Sequence, residues 1–303
     1  GRTMEQDRGE RKKAMLLGSF LGDAFVLGAH WIYNVRVIES RFGDYASPQE
    51  PLPGSYHKGK HLGDYTHYGD QALLLHAYLK ERRGAYTEEG WREKWRRHMA
   101  GYRGYIDRAT NESLEAFDRG ETRGSASDEL GGAARIAPVL YWVEDPWAAL
   151  EAAVSQSAVT HNSAPSLAAT ALFARVTLRC LEGAAAELRH ALRESLSAMK
   201  REGQDTALLE AYLEKASAAV GLSAADMAAA LGQSCHAEHA IPVIMAILLG
   251  ESDYRPAMQL NARVGGDSAT RGMILGAILG ARNGMADLPE SWLKAVKRLP
   301  ELA

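Results

Sequence analysis

A chain of 303 residues, 46% hydrophobic and 24% charged, is long enough to bury a substantial core in one large domain or two. Its net charge of −3 carries no basic footprint, which argues against nucleic acid as a partner. Only Cys180 and Cys235 are present, no apolar run approaches the ~18 residues that span a bilayer, and no secretory signal follows the polar start, so a reduced, cytoplasmic, membrane-free protein is expected.

Residues 1–9 read as disordered or as a leftover of cloning. The segment 10–31 then predicts a helix, because Leu16, Leu17, Phe20, Leu21, Ala24, Phe25 and Leu27 leave few polar positions and imply burial nearly all round. Gly18 and Gly22, four apart, form a small-residue stripe. Asp23 sits in this apolar setting, where a lone carboxylate is costly; it is either a hydrogen-bonded structural acid or it faces a polar site. The helix runs out in His30, Trp31 and Tyr33.

From 43 to 65 prolines and glycines break the pattern, and a loop this long in a compact domain is often functional. It leads to an oxygen-rich helix start, Thr66 to Asp70, ahead of Ala72, Leu73, Leu75, Tyr78 and Leu79. The stretch 91–105 reads as an amphipathic surface helix with a basic face, and 120–132 as a second loop. Arg135 follows the pair Gly131 and Gly132, where it reaches an anion or makes a surface salt bridge. After a helix at 148–158, Thr160, His161 and Asn162 lie in a turn before Pro165, which suits the first turn of the next helix. Helices follow at 166–181, 184–199 and 205–220, with another from Ala224. Cys235, His236 and His239 have too sparse a spacing for zinc and read as structural.

The stretch 264–282 is the centre of the chain. Gly265 and Gly266 lead into Asp267, Ser268 and Thr270, and Asp267 or Ser268 is expected to cap the helix that follows. A Gly-Gly entry allows positive φ and close approach of a ligand, and a helix N-terminus favours anions. Gly272, Gly276 and Gly280 each cost about 1 kcal/mol against alanine; they are expected to pack on Gly18 and Gly22. Seven of the ten histidines (His30, His57, His61, His67, His161, His236, His239) fall in turns and loop edges, which suggests one polar site assembled from several loops. No strand alternation appears, so the class is all-α.

Together these motifs resemble the ADP-ribosylglycohydrolase family, which includes dinitrogenase-reductase-activating glycohydrolases and J1 crystallins. The resemblance rests on Gly22-Asp23-Ala24, on Thr160, His161 and Pro165, on the loop from Gly131 to Pro138 with Arg135 in the arginine place, and on Gly265 to Thr270. It implies a compact orthogonal multi-helix bundle and a single domain over 1–303. The family is a magnesium-dependent hydrolase whose two ions are held by a Thr-Asp-Asp segment and a C-terminal Asp-x-Asp-Thr. Here the first segment reads Thr66, His67, Tyr68, Gly69, Asp70; the second keeps Asp267 and Thr270 but has Ala269 for its other acid; and the acid near the end of the first helix aligns with His30. Magnesium wants several oxygen ligands, so two ions are not expected. One divalent metal remains, magnesium by resemblance, or a softer ion using His30 or His67.

The resemblance then implies Thr66, Asp267 and Thr270 at the metal, Asp70 or Asp23 as general base, and His30 or His67 as acid or ligand. Arg135, His161, Asn162, Gly265, Gly266 and Ser268 are expected around the substrate. Two functions compete: a hydrolase cleaving an N- or O-glycosidic bond of an ADP-ribosyl or related nucleotide-sugar substrate, and a non-catalytic ADP-ribose binder or structural protein like the J1 crystallins.

Overall fold

The computed structural model describes residues 3–183 and 187–303. Helix α1 (Met4–Val26) begins at a capping box, in which Thr3 accepts from the Gln6 N–H and the Gln6 side chain accepts from the Thr3 N–H. That box makes residues 4–9 helical, against the expectation of disorder there. The helix stops at Val26, short of the expected Trp31. The next residues turn, and Trp31 adopts φ 68°. Its N–H donates to the Gly266 carbonyl, while the Gly266 N–H donates to Ile32, both at 2.8 Å.

Helix α2 (Val35–Phe42), capped by Asn34, was not foreseen. Helix α3 (His67–Glu81) starts at Thr66, whose hydroxyl accepts from the Tyr68 N–H. Helix α4 (Glu88–Met99) buries Trp91, Trp95 and Met99 and ends before the expected Tyr105. A second unforeseen helix, α5 (Arg108–Asp118), is capped by Asp107. A 3-10 turn at Ala133–Arg135 leads into α6 (Ile136–Trp142), followed by α7 (Pro146–Ala158), α8 (Ala164–Glu182) and α9 (Leu188–Arg201). The start of the predicted helix 184–199 lies partly outside the described residues. Helices α10 (Ala207–Ala219), α11 (Ala224–Leu231), α12 (Ala237–Gly250), α13 (Tyr254–Val264), α14 (Ser268–Asn283) and α15 (Glu290–Ala295) complete the chain. No strand occurs among the described residues, so the all-α reading holds.

The site is positioned by the antiparallel pair α1 and α14. A Cβ at Gly22 would lie 2.1 Å from the Gly272 carbonyl oxygen, one at Gly276 2.1 Å from that of Gly18, and one at Gly280 2.2 Å from that of Ala14. The glycine stripes therefore meet as expected, backbone against backbone, and α14 is buried from Ser268 to Ala281. This registry brings the end of α1, with His30, to the start of α14, with Asp267.

A candidate active site of stacked imidazoles

Asp267 is the N-cap residue of α14, yet its side chain caps nothing. Oδ1 lies 2.8 Å from His30 Nε2, and Oδ2 accepts from the Thr270 hydroxyl at 2.7 Å. The expected cap is thus replaced by a bridge to α1. Burial alone would raise the Asp267 carboxyl, but the His30 and Thr270 hydrogen bonds outweigh it and hold the acid below the usual carboxylate range. Burial also lowers His30, keeping its ring neutral.

These states fix the protons. An ionised Asp267 only accepts, so His30 carries its hydrogen on Nε2 and leaves Nδ1 bare. That nitrogen lies 2.7 Å from His57 Nε2, which must therefore be the donor. His57 is left with a bare Nδ1 that bonds to no described residue. Burial and the neighbouring rings push His57 down to about 2, so this acceptor form is the resting one. The result is a directed chain, Asp267 to His30 to His57, ending in a lone pair. His57 comes from the long loop 43–65; its sequence signal was only its place in the histidine cluster.

A second pair stands beside the first. His67 Nε2 lies 3.0 Å from Asp107 Oδ2, while its Nδ1 is buried with no partner. Burial would raise Asp107, but bonds from His67 and the Thr110 N–H hold it low. Asp107 was missed because its helix α5 was missed. His161 is pushed down to about 4, chiefly by burial with Arg135 nearby. Its Nδ1 meets the Thr160 hydroxyl at 2.7 Å, and its Nε2 is buried and unpartnered.

The rings pack on one another. His30 and His57 stack at 5.0 Å, Trp31 lies parallel to His57 at 5.3 Å, and His67 contacts Tyr68 at 4.0 Å. Trp31 holds an uncommon backbone conformation to make these contacts, as functional sites often require. Its other edge faces a cavity of about 240 Å³ shared with Tyr33, Tyr56, Tyr68, Tyr105 and Glu129. Burial raises Glu129, which also accepts from the Cys235 thiol at 3.0 Å.

Other predicted residues are placed differently. Asp23 is fully buried, and both its oxygens are taken by Thr66, by the N–H at 2.7 Å and the hydroxyl at 2.5 Å. It ties α1 to α3 as a structural acid, and burial lifts it to about 7 against those two bonds. Thr66 is spent on that bond and on its cap. Arg135 is buried against Gln156, Thr160 and Gln71, over the Trp91 ring, so it braces the turn that carries His161 and presents no guanidinium to a ligand. Gly265 and Gly266 take φ 79° and 70°, but the chain that approaches them is protein: a Cβ at Gly266 would lie 2.0 Å from the Gln233 carbonyl oxygen. The Ser268 hydroxyl is buried without a partner. The Asn162 backbone N–H bonds to Ser125, pinning the turn. Asp70 lies outside the cluster, bound by Lys60 and the Tyr102 hydroxyl at 2.5 Å each.

A magnesium pair does not fit these residues. Both oxygens of Asp23, Asp107 and Asp267 are already engaged by protein donors. The aligned acid positions hold His30, His67 and Tyr68, whose rings pack together, and imidazole suits magnesium poorly. Among the described residues no three His, Cys, Asp or Glu side chains are grouped to hold a metal ion. Of the expected ligands, the Thr66 hydroxyl bonds to Asp23 and the Thr270 hydroxyl to Asp267.

A helix pair seamed by glycines that delivers an aspartate and a histidine to a loop-built cleft defines an all-helical class of protein. A solved structure described as an ADP-ribosylglycohydrolase-related protein complex shares the fold with a TM-score of 0.74 at 21% identity, over 96% of this chain and 93% of that one. The ADP-ribosylglycohydrolase family model matches residues 4–303, and the chain belongs to that family of glycosidic-bond hydrolases. No curated protein matches it.

Proposed function

We propose that this protein hydrolyses an N- or O-glycosidic bond of an ADP-ribosyl or related nucleotide-sugar substrate without a divalent metal. The observation that carries the reading is the bare His57 Nδ1 at the end of the Asp267–His30 chain. Water attacking the anomeric carbon gives its proton to His57 Nδ1. The His57 Nε2 hydrogen moves to His30 Nδ1, and the His30 imidazolium so formed keeps its Nε2 hydrogen in the bond to Asp267. The positive charge is thereby spread towards a buried carboxylate, as when a carboxylate supports an imidazolium in a hydrolytic triad. The sugar–leaving-group bond breaks through an oxocarbenium-like state. Glu129, raised by burial and so inclined to hold its proton, protonates the leaving nitrogen or oxygen. The aromatic wall of Trp31, Tyr56 and Tyr105 offers faces for the substrate's rings.

A second reading, a non-catalytic ADP-ribose binder, is favoured by the same hydrogen-bonded carboxylates. Chelator-treated protein incubated with an ADP-ribosylated peptide separates the two, with released ADP-ribose followed by chromatography. The hydrolase reading predicts release in EDTA that falls about 10²-fold or more in His57→Ala. Release only after magnesium is added contradicts the metal-free route. No release, with ADP-ribose binding seen by calorimetry, establishes the binder.

A further inference from the structure

On a neighbouring stripe of α3, Asp70, Leu73, Leu74 and Ala77 recur at helical spacing and floor a groove of about 870 Å³, within the range of small-molecule sites. Its walls are the segment 58–65, the turn after α4 and the residues after α15. The Lys297 N–H bonds to the Gly63 carbonyl and the Tyr65 hydroxyl to that of Arg298, so two walls are fastened together.

Six lysines and arginines line this groove against two aspartates, in a chain whose net charge is −3. The aspartates are spoken for: Asp70 pairs with Lys60 at 2.5 Å and Asp64 with Lys297 at 3.4 Å. Four cations, Lys58, Arg97, Arg103 and Arg298, are left without an ion pair among the described residues. Like charges converging in a concavity focus potential and are unfavourable to one another unless an anion joins them. The backbone leaves room for one, since a Cβ at Gly59 or Gly101 would meet nothing within 4 Å. Among the described residues no side chain lining it hydrogen-bonds to the Asp267, His30 or His57 side chains, although the Lys60 N–H donates to the His57 carbonyl at 3.1 Å.

We infer that this groove is a separate binding site for a small molecule bearing two or more linked phosphates, held by Arg97, Arg103 and Arg298. Arginine suits the role because its planar fork meets phosphate oxygens in pairs. The apolar stripe of Leu73, Leu74 and Ala77 adds a floor for a base or another apolar part of the ligand. The site stands independently of the reaction proposed above, since no group of that reaction lines it.

Calorimetric titration of the full chain with inorganic pyrophosphate and with ADP tests this. Binding is expected for both, weakening with salt. Affinity is expected to fall at least tenfold in Arg103→Glu and in Arg298→Glu, and also in Gly101→Trp, which fills the groove without touching a charge. The exposed, distant Arg193→Glu is expected to leave it unchanged. Tighter binding of ADP than of pyrophosphate would show that the apolar floor takes the base; equal binding would show that phosphates alone are read. Either is the expected result provided the groove variants weaken it. No pyrophosphate or ADP binding, or binding indifferent to all three groove variants while each keeps the wild-type melting temperature, overturns the site.

Discussion

Along the α1–α14 seam, Gly18, Gly22, Gly272 and Gly276 leave no room for a Cβ against the opposite backbone, and beside them the Ser19 hydroxyl donates to the Met273 carbonyl at 2.9 Å. Beyond Val26 the chain leads on to His30, which meets Asp267 at the start of α14, and there everything depends on side chains and their protons. The seam is insensitive to charge and intolerant of a single methyl group. The cluster is rich in titratable groups, and burial keeps His30, His57 and His161 as neutral rings. The difference shows how a fold can keep its frame while its chemistry drifts: the backbone seam fixes where residue 30 and residue 267 meet, and whatever side chains stand there inherit the site.

The comparison can be broken most forcefully at the seam. Gly22→Ala would place a Cβ 2.1 Å from the Gly272 oxygen, where only helix displacement relieves the clash, and should cost about 4 kcal/mol or prevent folding. Gly9 lies in the same helix with nothing within 4 Å of its missing Cβ, and Gly9→Ala should instead gain about 0.5–1 kcal/mol. Urea denaturation of the pair checks both signs. Equal effects at the two positions would mean that helix propensity, not close approach, governs these glycines.

The cluster should respond to pH where the seam does not. His30, His57 and His161 are lowered by burial below the ordinary value near 6.5 of the unfolded chain. Between the folded and unfolded values the unfolded chain binds more protons, so this contribution is complete above about pH 6.5. It is lost as pH falls from there towards the folded values, at about 1 kcal/mol per pH unit for each ring. Urea midpoints measured from pH 7.5 to 5 should therefore fall steadily. Replacing His57 by Gln should flatten the slope by one ring's share.

The seam was legible in the sequence because a four-residue glycine spacing has few other uses in a buried helix. Asp267 and His30 were legible as candidates, since each stands at a helix end beside other polar residues and the family resemblance sets both at acid positions. What was not legible is which polar group answers which. Arg135 follows a glycine pair as an anion ligand would, yet Gln156 and Thr160 on other elements absorb it. Asp70 follows Thr66 as a shifted metal ligand would, yet Lys60 from the preceding loop draws it to a neighbouring stripe of α3. His57 lay in a loop without periodicity, and Asp107 at the start of a helix whose polar face hid it. Local spacing reports helix faces; partners that arrive from distant loops leave no mark on it.

The central claim is the direction of the proton chain, and long-range ¹H–¹⁵N NMR of the histidine rings at pH 6 reads it directly. The account predicts neutral rings for His30 and His57, each with its hydrogen on Nε2 and a bare Nδ1, the His30 Nε2 hydrogen shifted far downfield by Asp267. A protonated His57, or a His57 hydrogen on Nδ1, would mean that no acceptor is presented to water and would contradict the account.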